Sequence, residues 1–139
     1  MFNREFHATT NAPRATVWAI WSDVNNWSSW NAGVEQAHIA GPFVGGAEFS
    51  MTPGGQQALS CRLSDVEPGV AFTDVTVLGD ICVTVEHRIE PAGDGQLRVV
   101  YRAHVTGPDA EQVGAAITED FDDVLAALVK RAERGVEIV

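Results

Sequence analysis

Long apolar runs are missing from this sequence. No stretch approaches the roughly 20 apolar residues that span a bilayer, and the opening MFNREFHATTNAP has no apolar h-region of the kind a secretory signal needs. The expectation is a cytoplasmic protein with no membrane span. Basic residues are scarce. Nine Lys and Arg against nineteen Asp and Glu leave a net charge of −10, which argues against nucleic acid or an anionic membrane surface as a partner. The only cysteines are Cys61 and Cys82, in strand-like segments without a CxxC, so reduced core thiols are expected rather than a disulfide. Among His7, His38, His87 and His104 no pair has i, i+4 spacing and no HExxH occurs, which leaves a metal site unsupported. A GxSxG elbow, a Cys–His pairing at a recognisable spacing and a phosphate-cradling loop are also lacking. The glycines of GPFVGG and TPGG precede no helix and are read as turns. No cofactor is expected.

What is present suits one domain. A chain of 139 residues buries about 68% of its unfolded surface, enough for a core without staples. No boundary, repeat or low-complexity tract interrupts it, so residues 1–139 are read as a single domain.

The chain begins with strand-like FNREFHATT and stops at NAP. Asn11 is placed to cap a helix with Pro13 in its first turn. Val17, Ile20, Trp21 and Val24 then fall at i, i+3, i+4 and i+7, an amphipathic stripe. Asp23 is read as the cap of a second short helix carrying Trp27 and Trp30, ended by Gly33. All four tryptophans lie between residues 17 and 30. Beyond Gly33 the period changes to alternation. Strands are expected at 34–40, 46–52, 56–66, 70–78, 81–91 and 96–106, with short turns between them, an antiparallel meander. The alternation is cleanest in the last two. Val83, Val85, His87 and Ile89 share one face, as do Leu97, Val99, Tyr101, Ala103 and Val105, and charged residues hold the other. A long helix over about 109–134 follows, with Asp109 and Gln112 placed as a capping box. Its stripe is Val113, Ile117, Phe121, Val124, Leu125, Leu128 and Ala132. A seven-stranded sheet with one apolar face must be covered, and this helix is the available cover. The fold class is α+β.

NAPRATVWAIWSDVNNWSSWN, EHRIEP before a Gly-containing turn, and RVVYRAHVTGP ahead of a long helix together resemble the START-like, or SRPBCC, superfamily. Within it the chain is most similar to small bacterial members of the polyketide cyclase/dehydrase type. The resemblance runs over nearly the whole chain. It implies a helix-grip fold, in which a curved seven-stranded antiparallel sheet grips a long C-terminal helix around a deep hydrophobic pocket, with two short helices after the first strand. The superfamily holds lipid-transfer domains, plant hormone receptors, the major birch pollen allergen, aromatic polyketide cyclases and chaperone activators. Several of these bind without chemistry, so the fold is specified better than the function.

Two functions fit. One is binding of a small hydrophobic or aromatic molecule in an internal cavity, with or without chemistry of the cyclase/dehydratase kind. The other is a non-catalytic adaptor of the chaperone-activator kind with a vestigial cavity. The first needs a lining, expected from Trp21 on the first helix and from Phe49, Met51, Cys61 and Val85 on inner strand faces. Ile117, Phe121 and Leu125 on the last helix complete its apolar part. Its polar members are Asp74, His87 and Tyr101, which are also the candidates for any catalytic role. Asp74 belongs there if Phe72 points inward, since the two share parity. Arg62 shares parity with Ser60 and Ser64 and is expected to face solvent. His87 and Tyr101 should be cross-strand neighbours through the AGDG hairpin, either satisfying one another or waiting for a ligand carbonyl. Trp27 and Trp30 are expected to pack the short helix on the sheet, and Trp18 to be a partly exposed edge residue or a contact with a second subunit. The oligomeric expectation is a monomer or homodimer.

Overall fold

The computed structural model describes residues 1–137. β1 (Phe2–Thr10) turns Phe2, Phe6 and Thr10 inward and leaves Asn3, Glu5, His7 and Thr9 exposed. It is followed by α1 (Arg14–Ser22) and a 3₁₀ helix, Val24–Ser29. Six strands come next: β2 (Val34–Ile39), β3 (Glu48–Pro53), β4 (Leu59–Glu67), β5 (Ala71–Leu78), β6 (Ile81–Gly93) and β7 (Gln96–Thr106). The chain closes with α2 (Ala110–Ile117) and α3 (Phe121–Glu137). The seven strands form one antiparallel sheet in the order β1-β7-β6-β5-β4-β3-β2. The last strand added therefore pairs with the first, and the meander curls into a half-barrel. Its concave face is covered by α2 against β1 and β7, and by α3 against β1 and α1.

Register decides which side chains enter that interior. Phe72, Asp74 and Thr76 of β5 pair with His87, Val85 and Val83 of β6, which in turn pair with Tyr101, Ala103 and Val105 of β7. Side chains directly opposite one another share a face, so all nine point inward. On the other flank Asp74 opposes Leu63, and Thr76 opposes Cys61, which pairs with Phe49. A bulge between Leu63 and Asp65 restores the phase of β4 so that Val66 meets Phe72. The β6–β7 turn runs through Gly93, Asp94 and Gly95, all with positive φ, which is why glycine flanks Asp94 there.

The single helix expected over 109–134 is two. Thr118 is buried, and both its hydroxyl and its N–H donate to the Gly114 carbonyl, at 2.8 and 3.1 Å. The Phe121 N–H then reaches back only to Thr118, at 3.1 Å. The Glu119 N–H, reaching Ala116 at 3.5 Å, and the Phe121 N–H thus span three residues rather than four, and the chain turns between residues 118 and 120 before α3 resumes. The capping expectations also fail. Asp109 has φ 59° and makes no side-chain cap bond, because the chain leaves β7 through Gly107 in a turn too tight for a capping box. Asn11 makes no cap; Pro13 occupies the N-cap position of α1. The neighbouring Thr10 hydroxyl oxygen instead accepts from the Ala12 N–H at 3.1 Å and donates to Glu133 at 2.9 Å. Asp23 stands at the N-cap of the 3₁₀ helix without a bond to its backbone, and accepts from the Asn26 side chain at 2.7 Å.

The core side of α3 is the expected one. Val124, Leu125, Leu128 and Ala132 are buried, whereas Glu119 and Asp122 are exposed. Among the described residues no helix is long and apolar enough to cross a membrane.

Candidate functional site in the concave face

The interior is built of aromatic rings. Trp21 projects from α1 because it lies in the middle of the Val17–Val24 stripe, and it is 1% exposed. Its indole Nε1–H donates to the Tyr101 hydroxyl oxygen at 3.3 Å. The His87 ring lies flat on Phe72, with centroids 4.0 Å apart and planes 9° apart, and meets Tyr101 edge-on at 4.5 Å. Phe121 closes the group from α3, edge-on to Tyr101 at 5.7 Å and to Phe6 at 5.3 Å. Phe43, on the loop between β2 and β3, packs on Phe72 at 5.0 Å and on Trp18 at 5.9 Å. Edge-to-face pairs of this kind add about 0.5–1.5 kcal/mol each beyond the area they bury.

Three ionisable groups sit in this setting. Asp74 lies on the inner face, between Leu63 and Val85, and its side chain is 17% exposed. Burial pushes its carboxyl from 3.8 up to about 7. The His87 Nε2 is 3.9 Å from an Asp74 oxygen, too far for a hydrogen bond. Burial pushes that imidazole from 6.5 down to about 3, with nearby backbone carbonyls pulling the other way. The ring is thus neutral at pH 7, and the contact is a close approach rather than an ion pair. The His87 Nδ1 is buried without a hydrogen-bond partner. Tyr101 is raised above the ordinary phenol range by burial, against the bond from Trp21.

His87 and Tyr101 are direct cross-strand partners, as the hairpin predicts. They do not satisfy one another. Tyr101 takes its bond from Trp21, and His87 presents a ring edge.

The remaining predicted lining divides. Phe49 is buried against Trp27, at 5.5 Å between rings. Cys61 is buried and accepts the Thr76 hydroxyl at 3.1 Å. Burial raises that thiol to about 11 although Thr76 opposes the change, so it is unreactive. Leu125 is fully buried in the same core. Val85 belongs to a second apolar cluster with Ala103 and Val105, on which the half-buried Ile117 packs; Phe121 touches both clusters. Met51 is half-buried beside the main core. Arg62 faces solvent, as expected. No group of three His, Cys, Asp or Glu side chains is gathered for a metal among the described residues.

Three ring positions were missing from the expected lining. Phe72 is the closest neighbour of His87, and its signal was available: it lies two residues before Asp74 and shares its face. Phe43 sits in a loop with no periodicity to mark it. Trp18 is half-buried between Trp21, Phe43 and Phe72, partly exposed as expected but packed against these rings. Trp30 departs the other way. Trp27 is buried, but Trp30 is half-buried beyond the end of the 3₁₀ helix. It lines an outer depression of about 420 Å³ with Ile20 and Arg131.

A second depression, of about 410 Å³, lies on the outer sheet face among Glu5, Glu86, Arg102 and His104. Neither depression opens onto Asp74 or His87.

The fold is shared with solved structures of low sequence identity. One is the ZhuI aromatase/cyclase of a Streptomyces strain, at 18% identity and TM-score 0.77, covering 97% of this chain and 95% of that one. A START superfamily protein of Mycobacterium smegmatis matches at 14% and 0.74, covering 95% and 97%. The di-domain aromatase/cyclase BexL matches at 14% and 0.77; 96% of this chain is covered but only 47% of BexL, so the chain spans about half of that protein. No curated protein matches in sequence. The family model described as polyketide cyclase/dehydrase and lipid transport matches residues 1–133, and the chain therefore belongs to that family, with the START-like helix-grip fold expected of it.

Proposed function

We propose that this protein binds a small hydrophobic or aromatic molecule between the concave sheet face and its covering helices, with the ligand's polar end at Asp74, His87 and Tyr101. One observation carries the reading. The His87 Nδ1 is buried in this ring-lined interior without a hydrogen-bond partner, and its Nε2 faces the Asp74 carboxyl at 3.9 Å; an unmet buried polar group costs roughly 1–3 kcal/mol. A leucine at position 87 would avoid that cost, and a ligand that bonds to the ring would offset it. Occupancy requires the rings to part, and Trp18, Phe43 and Phe121, all half-buried, are the ones least enclosed.

Chemistry of the cyclase/dehydratase kind is the finer form of the same reading. A neutral imidazole within 4 Å of a carboxyl that titrates near pH 7 is a proton-handling pair. The adaptor alternative draws on a different surface, the depression that exposes one side of Trp30.

Native mass spectrometry of the protein as purified tests occupancy directly, and a retained small molecule is the expected result. Titration with a fluorescence-quenching aromatic ligand should quench Trp21→Phe less than the parent, since Trp21 touches the polar cluster and Trp27 and Trp30 do not. Equal quenching in both would remove Trp21 from the site.

A further inference from the structure

We infer that the ligand of the concave face is a hydrophobic amine, held through its protonated nitrogen at Asp74. The inference rests on the reading above, that a ligand occupies this face at all, and it names the charge and donor character of that ligand.

The charges inside are one-sided. The inward positions of β2 to β7 pass through Ala37, Phe49, Cys61, Asp74, His87 and Tyr101, and those six strands place neither lysine nor arginine on that face. Arg4 of the edge strand β1 stands opposite Ala103 and shares the face, but it is exposed and lies over the Phe6 ring at 5.0 Å. The only ionisable group of the described residues within 4 Å of the Asp74 carboxyl on the opposite side of an ion-pair ledger is His87, and it is held neutral by burial. Cys61 from β4 and Tyr101 from β7 are the other titratable groups around it, and both are kept in their uncharged forms. The helices turn Ile117, Phe121 and Leu125 toward the interior; their half-buried charges are taken up elsewhere, Arg14 on the Gly69 and Ile89 carbonyls and Glu133 on the Thr10 hydroxyl.

At Asp74 itself the unmet need is for donors. The carboxylate can only accept, the nearest ring nitrogen, His87 Nε2, stands 3.9 Å away, and the Tyr101 hydroxyl is engaged with the Trp21 N–H through its oxygen. A ligand carboxylate would place a second negative charge beside the first, and a ligand ketone, although the Tyr101 O–H or a His87 N–H could reach it, would bring no donor to the carboxylate. An ammonium supplies the missing donors and the opposite charge together. The surroundings suit the rest of such a molecule, because the faces of aromatic rings attract cations. At long range, the net charge of −10 raises the local concentration of cationic ligands and repels anionic ones.

Four naphthalene probes of nearly equal size separate the possibilities by calorimetry at pH 8. They are 1-naphthylmethylamine, 1-naphthalenemethanol, 1-acetylnaphthalene and 1-naphthoate. On the parent protein the amine should bind at least about tenfold more tightly than the alcohol, with the naphthoate weakest. In Asp74→Asn the amine should lose that advantage while the alcohol keeps its affinity. In the parent the amine's advantage should also shrink as the pH falls from 8 to 5 and Asp74 takes up its proton. Should Asp74→Asn not fold, the probe order and its pH dependence in the parent decide the matter. Equal binding of amine and alcohol, tightest binding of the ketone, or an amine preference that survives in Asp74→Asn overturns the inference and leaves ligand binding standing. Failure of all four probes to bind overturns the binding reading, and this inference with it.

Discussion

Burial shifts Asp74 and His87 each toward its uncharged form, and that couples them to pH in opposite directions. Asp74 has a native pKa above its unfolded one, about 7 against 3.8. Between those values the native state binds the extra proton, so this group's contribution falls as pH rises from 4 toward 7. His87 has a native pKa below its unfolded one, about 3 against 6.5. There the unfolded state binds the extra proton, and stability is lost as pH falls from 6.5 toward 3. From about pH 4 to 6.5 the two slopes cancel, since the native pair is neutral while the unfolded pair carries one charge of each sign. The variants separate them. Asp74→Asn should exceed the parent in stability at pH 8 by at most about 4 kcal/mol, reduced by the carboxyl's residual exposure, and the gain should vanish near pH 4. His87→Phe should uncover the Asp74 slope, losing stability relative to the parent as pH rises from 4 to 7. Denaturant midpoints across that range measure both differences. Parallel curves for parent and variants would mean that neither group is buried in solution as it is here.

At the scale of elements, the α2–β1 contact is set by one missing side chain. Gly114 sits in the interior of α2, where glycine costs about 1 kcal/mol relative to alanine. A Cβ at that position would run into the ring of Phe2, which is buried at the start of β1. Overpacking of this kind costs about 1–3 kcal/mol, so Gly114→Ala should destabilise the protein despite its better helix propensity. A raised urea midpoint in Gly114→Ala would show that Phe2 swings aside freely. Two-residue alternation made the strands readable, because each has one wet and one dry face, and β6 and β7 appear with the inward set expected. The inward turn of Asp74 was readable by the same parity, from Phe72. The break between α2 and α3 was not. Val113, Ile117, Phe121 and Val124 keep a helical spacing straight across it, and the break comes from the Thr118 hydroxyl bonding to Gly114, a local competition that periodicity does not register. Phe43 escaped notice for another reason: its packing on Trp18 and Phe72 depends on where a loop folds back, which neither period encodes.

The charge of the whole molecule sets its response to salt. Most of its acids lie on outer surfaces, and the outer sheet face offers partial compensation. Arg102 reaches Glu5 at 2.7 Å, Glu86 at 2.8 Å and Glu90 at 3.7 Å, one cation among three carboxylates. Arg102 is 44% exposed at its side chain, and exposed pairs contribute roughly 0–1 kcal/mol each. Ten uncompensated negative charges on 139 residues repel one another over distances comparable with the Debye length, about 10 Å at 0.1 M salt. The repulsion should therefore outweigh the ion pairs, and salt should stabilise. Thermal unfolding followed by circular dichroism should give a Tm that rises between about 0.02 and 0.3 M NaCl, a range over which the Debye length falls several-fold. Arg102→Ala should steepen that rise, because it leaves Glu5, Glu86 and Glu90 facing one another with less to offset them. At the upper end of the range the variant should approach the parent to within about 1 kcal/mol. A Tm that falls with salt would reverse the balance: the Arg102 network would then outweigh the global repulsion, and the outer sheet face would be held together by attraction after all.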